Sequence, residues 1–172
     1  SALLTGKLPG GSARNLALPL DGTWSARGGL AAWRGCIDLK YDELGYANLI
    51  LTNKRLLVCP GPGGAILRYD GGGVKLAAGA PALNVSGRLG TTPIRIASGP
   101  VGFAMPGSLA ARSLNISLGP ADNATAFRIS NLSARVGSDI AGRFADTEAR
   151  IGAVPLDILA ASGAWRYANG IL

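Results

Sequence analysis

Few residues in this chain are of types that do chemistry. Cys36 and Cys59 are its only cysteines, and it contains no histidine. Without imidazole, Ser-His-Asp and Cys-His nucleophilic arrangements are excluded, as are histidine-based metal centres. Two cysteines spaced C-x22-C do not supply the four ligands of a structural zinc site. They are left with two roles, a disulfide or a pair of buried thiols, and the even count favours the disulfide. Its presence implies an oxidising compartment, the periplasm or the extracellular space. The carboxylates are dispersed. Asp38, Asp42 and Glu43 lie close together, but Lys40 sits among them and alternation puts them on the outward side of a strand. The glycine-rich stretches at residues 61–64 and 71–73 match neither G-x-x-x-x-G-K-[ST] nor G-x-G-x-x-G, and no helical pattern follows them. No calcium-loop pattern surrounds Asp70 or Asp122. The sequence therefore predicts no catalytic residues, no metal, no cofactor and no enzyme.

The elements holding these residues read as strands. In residues 36–42, Ile37, Leu39 and Tyr41 alternate with Asp38, Lys40 and Asp42, the period of two of a half-buried strand. Residues 48–52 and 56–59 read as two short strands joined by an Asn53-Lys54-Arg55 turn. Cys36 and Cys59 then lie on different strands of one small sheet. Leu16, Leu18 and Leu20 alternate around Pro19, which predicts an edge strand or a strand start. Pro9-Gly10-Gly11 reads as a turn. Further along, Leu114, Ile116 and Leu118 share one face, as do Phe127 and Ile129. The phase then flips to Leu132, Ala134 and Val136, which predicts a bulge near Asn131. Residues 108–114 and 156–162 are each compatible with a helical turn or two.

Composition points the same way. The 172 residues include 26 Gly and 10 Pro, which disfavour long helices and suit short strands joined by tight turns. The formal charge is +7, with arginine supplying 13 of the 17 basic residues. Such a surface meets anions. The arginines are spread singly with no basic run and no interleaved aromatics, so nucleic acid is not an expected partner. The longest charge-free window, residues 96–111, holds Pro100, Pro106 and several glycines and is not a membrane-spanning helix. The chain starts at Ser1-Ala2-Leu3-Leu4 and stops at Gly170-Ile171-Leu172 within an apolar pattern. Residues 1–172 are accordingly expected to be one β-rich segment of a longer protein, with any anchor or targeting sequence outside it. What remains for function is surface: one face of Leu, Ile, Val and Ala that either closes as a core or lines a groove for hydrocarbon.

A set of small motifs carries a family resemblance: Gly22-x-Trp24, Cys36, the strand at Ala47-Asn48-Leu49, Cys59-Pro60, Leu89-Gly90-x-x-Pro93, and the I-G-x-V-P-L run from Ile151 to Leu156. Together they resemble the YdbH-like proteins of Gram-negative envelopes, which are similar to the wider AsmA-like and TamB-like group. The resemblance implies an all-β, elongated and twisted antiparallel groove, taco-like and open-ended. A β-sandwich or β-solenoid is the other arrangement the strand pattern allows. The implied function is passage of phospholipids between inner and outer membranes along an apolar β-groove in the periplasm. The implied partners are phospholipid acyl chains, an inner-membrane anchor outside this segment, and an outer-membrane partner protein. Alternation nominates Ile37, Leu39, Tyr41, Leu114, Ile116, Leu118, Phe127 and Ile129 as groove-lining residues, with the arginines on the outer face or rim. Cys36 and Cys59 would be structural. The reading from another class is a secreted structural or adhesive β-domain that binds glycan or protein.

Overall fold

The computed structural model describes residues 2–8, 11–62, 64–136, 140–152, 154 and 156–167. Every helix or strand element among them is a strand, and all the strands belong to one antiparallel sheet. The expected Pro9-Gly10 turn lies outside the described residues.

The ladder registers show how the sheet is threaded. β1 (Ala2–Leu8) pairs with β2 (Gly11–Leu18), β2 with β5 (Ile37–Tyr46), and β5 with β6 (Leu49–Pro60). Next comes a strand in two pieces, β8 (Val74–Ala80) and β9 (Leu83–Leu89), interrupted at Pro81, which has no N–H to donate. Leu49 faces Leu89 and, in the same register, Cys59 faces Gly79, so β6 runs along both pieces. β10 (Thr92–Ser98) and β11 (Val101–Met105) form a second such pair, interrupted at Gly99-Pro100. β12 (Gly107–Leu118), β13 (Thr125–Val136), β14 (Ile140–Ile151) and β15 (Leu156–Tyr167) follow in order. Three short strands, β3 (Gly22–Ser25), β4 (Gly29–Ala32) and β7 (Leu67–Tyr69), extend β2, β5 and β6 beyond a register offset and join the sheet through β8.

Chain order is thus spatial order, the topology of a meander. One ring of pairings, β6–β9–β10–β12–β11–β8, exists within it. Within this ring β6 pairs with β9 over residues 49–51 and with β8 over residues 59–60, and residues 52–58 pair with neither. Among the described residues β1 pairs only with β2 and β15 only with β14. A two-sheet sandwich and a solenoid of parallel coils both differ from this single antiparallel sheet.

Several strands are longer than local propensity suggests. Asn53-Lys54-Arg55 lies inside β6, not at a turn, because β5 holds the segment extended: Lys54 faces Tyr41 and Arg55 faces Lys40. Residues 108–114 and 156–162 are strand, held by neighbours on β13 and β14. β2 is not an edge strand, since β1 and β5 flank it, and Pro19 falls just past its end.

The flip expected near Asn131 is present and is shared across the sheet. Ser113, Asp146 and Ala160 have φ of 51°, 50° and 53° in the middle of β12, β14 and β15, as does Asn15 at 51° in β2. A left-handed residue in a strand shifts the alternation by one. On β13 the shift falls at Ser130-Asn131, with Arg112 opposite Asn131 and Leu114 opposite Ile129. At three of these kinks nearby side chains hydrogen-bond the backbone groups that leave the ladder. The Asn15 N–H donates to Thr5 Oγ1, and Asn115 Nδ2 donates to the Ser113 carbonyl. The Asp146 N–H donates to Ser162 Oγ, and Ser130 Oγ donates to the Asp146 carbonyl. The kinks keep apolar side chains on one face on both sides of a crease that crosses β12–β15.

Candidate functional site

The candidate site is that apolar face. Directly opposed residues in an antiparallel ladder lie on the same side of the sheet, so the pairs can be followed from strand to strand. On one side of the crease the row reads Val85, Ile96, Ile116, Phe127, Ala149 and Ile158. Beside it runs Ala13, Leu44, Leu51, Gly87, Ile94 and Leu118. Beyond the crease lies Ala78, Phe103, Leu109, Ala134, Gly142 and Trp165. Gly87 is required where it stands: a Cβ there would sit 1.8 Å from the Ile50 carbonyl oxygen.

All eight residues nominated from alternation lie on this face. Leu114 opposes Ile129, Ile116 opposes Phe127, and Leu118 pairs with Ile94, so five of them form one contiguous patch on β12 and β13. Ile37, Leu39 and Tyr41 sit four strand positions away on β5. There Tyr41 is 4% exposed and packs with Ala13 and Leu16, with Leu18, Leu39, Leu44 and Leu51 around them. The face was longer than the nominated residues indicated. Val85 and Ile94 are buried, and so are Ala111, Ala134 and Ala149. Ile94 and Ile96 show the alternation that could have found them; the alanines carry too little apolar signal to stand out. Thr147 lies among these residues, and its Oγ1 is buried without a hydrogen-bond partner.

Burial on this face is shallow. No described side chain falls below 2% exposure, and Leu156 and Ile158, on the edge strand, are 47% and 41% exposed. A compact monomer of 17.4 kDa is expected to expose about 7,900 Å². This chain exposes 11010 Å².

The opposite face is polar. Arg14 pairs with Glu43, Arg128 with Glu148 and Arg150 with Asp157, each across a ladder. Arg55 holds Asp38 through both carboxylate oxygens, at 3.0 and 2.6 Å. The hydrogen bonds from Arg55 hold the Asp38 carboxyl below its ordinary value of 3.8. A depressed carboxyl stabilises the fold above its unfolded pKa, and that contribution is lost as pH falls through the lower native value. Thermal melts of Asp38→Asn should therefore lie slightly below those of the parent chain at neutral pH, and the two should converge as pH drops below 3.8. The pair is exposed, so the gap is small and shrinks with salt. A gap that is constant down to the acid limit would show that the ion pair contributes nothing.

Cys36 and Cys59 are bonded, with S–S 2.02 Å. Ile37 opposes Val58, so the bridge joins facing positions at the end of the β5–β6 ladder. Among the described residues no cluster of three or more His, Cys, Asp or Glu is placed to hold a metal ion. Among the described residues no helix is long and apolar enough to cross a membrane.

A family model described as YdbH-like, "Intermembrane phospholipid transport protein YdbH", matches residues 1–172. No curated protein and no solved structure matches the chain.

Proposed function

The chain belongs to the YdbH-like family, and from that premise we propose that it is one segment of a periplasmic bridge. The cargo is phospholipid, as the family description implies. Acyl chains lie along the apolar face, which acts as a trough, and head groups ride at its rim. An inner-membrane anchor and an outer-membrane partner protein belong to the same reading and lie outside residues 1–172. The chain itself carries no catalytic step in this account.

One observation carries the proposal: an apolar face that continues across the meander while the chain keeps about 3,000 Å² more surface than a compact protein of its mass. Apolar surface left in this state is costly in water, and hydrocarbon covers it without needing any specific polar partner. The disulfide supports the oxidising compartment. Native mass spectrometry of the chain purified gently from membranes tests the reading. Bound phospholipid, released by organic extraction, is the expected result. A lipid-free, monodisperse chain would sink it and return attention to a secreted domain that binds glycan or protein.

A further inference from the structure

The arginines of the polar face fall into two groups. Arg14, Arg55, Arg128 and Arg150 each have a carboxylate partner. Arg88 and Arg95, like Arg112, Arg135 and Arg143, have neither an ion pair nor a side-chain hydrogen bond among the described residues. The first two stand on the β9–β10 hairpin. Arg88 faces Pro93, and Arg95, two residues on, faces Ser86 on one side and Ser117 on the other. The two are diagonal neighbours on one side of the sheet, a relation that spaces backbones by about 7–8 Å, within reach of long side chains. Both line a shallow cavity of about 420 Å³ together with the hydroxyl residues Thr52, Ser86 and Ser117. No carboxylate and no aromatic ring lines it.

We infer that this cavity binds a phosphoryl group. Two guanidinium ions that line one cavity without a counter-charge repel each other, and an anion shared between them removes that repulsion. Each guanidinium presents a planar fork of donors that matches phosphate oxygens two at a time. A phosphoryl group offers several acceptors to such forks and to neighbouring hydroxyls, while a lone carboxylate is satisfied by one fork. The absence of aromatic platforms sets the site apart from those that stack nucleobases. Arg88, Arg95, Ser86 and Ser117 alternate with Gly87, Ile94 and Leu118 of the apolar row and so stand on the opposite side of the sheet, although the cavity also borders Gly87 and Ile94; the site is tested independently of the trough. The phosphoryl group comes from free phosphate or from a lipid head group at a membrane surface.

The test uses the whole chain. Inorganic phosphate is titrated against chloride at constant ionic strength, with the arginine side-chain NMR signals as readout. Saturable shifts of Arg88 and Arg95, with Arg14 and Arg128 still, are the expected result. The double variant R88Q/R95Q should weaken binding by at least about tenfold, a loss of about 1.4 kcal/mol. Both arginines are exposed, so the variant is expected to keep its fold, with a CD spectrum as the check. Sedimentation with vesicles then separates the two sources. Binding to 1:1 phosphatidylglycerol–phosphatidylcholine vesicles that is lost in R88Q/R95Q and competed by inorganic phosphate identifies the head group. Phosphate binding without vesicle binding identifies free phosphate. The inference is overturned by non-saturating shifts, by equal shifts at Arg14 and Arg128, or by a double variant of unchanged affinity.

Discussion

Replacing Ile116 by Asp should strip phospholipid from the chain while leaving the chain folded. Ile116 sits in the middle of a row in which Val85, Ile96, Phe127, Ala149 and Ile158 are all apolar. A carboxylate there must either lose its water to an adjacent acyl chain or keep its water and exclude that chain. Burying an unpaired charge costs many kcal/mol, so exclusion wins. Ile116 is only half-buried, so the charge reaches solvent when lipid is absent and the sheet persists. Lipid carried per chain, read by native mass spectrometry, should fall at least about tenfold, the equivalent of about 1.4 kcal/mol. Leu114, 8% exposed, makes the contrast: Leu114→Asp is expected to disrupt the sheet itself. Leu57→Asp, on the polar side and 42% exposed, should change neither lipid content nor fold. If Ile116→Asp unfolds the chain instead, Ile116 belongs to a closed core and the proposed trough is wrong at its centre.

What made Ile116 legible was period-two alternation between residue types of strongly different hydropathy. Ile37 to Tyr41, Leu114 to Leu118 and the pair Phe127 and Ile129 all announced themselves in this way, and all share one face. The same method was blind where the inward residue was small. Ala111, Ala134 and Ala149 are buried without any contrast to their neighbours, and Gly87 is required by a backbone contact from another strand. It also failed where tertiary pairing overrides local preference. Asn53-Lys54-Arg55 has turn composition, yet β5 draws it into a twelve-residue strand. The phase flip near Asn131 was visible in one strand, but its extension to Ser113, Asp146 and Ala160 depends on register. Register is a long-range property, and the hydroxyl and amide side chains that support these kinks look unremarkable in sequence. The unpaired state of Arg88 and Arg95 was equally hidden, because spacing along the chain does not reveal which arginines find a carboxylate on the next strand.

Removing the Cys36–Cys59 bridge should give the largest loss of stability of any change on the polar side of the sheet. The two positions are separated by 23 residues, and in the chain-entropy model a bond across such a loop contributes about 3 kcal/mol through the unfolded ensemble. Its place in the sheet adds a local consequence. Cys59 lies where β6 ends its pairing with β5 and takes up β8, with Cys59 opposite Gly79. Immediately beyond, β3, β4 and β7 continue in offset registers, joined to the sheet by the three-pair β7–β8 ladder and by backbone bonds from Trp33 to Asp21, from Ile66 to Trp33 and from Ala77 to Ile66. β3 and β4 have four residues each and Trp24 on β3 is 69% exposed, so burial in this flap is confined to a few small or single side chains, Ala31, Ala65 and Ile66. In the double Cys→Ala variant, chemical unfolding should show the full loss of about 3 kcal/mol. Hydrogen exchange should accelerate first in β3, β4 and β7, as expected of a weakly packed unit that opens before the rest. Protection in β12 and β13 should decline only in proportion to global stability. An even loss of protection over the whole sheet would instead make the bridge a purely global constraint with no role in holding the flap. Unchanged stability would remove the bridge from any structural part in the fold.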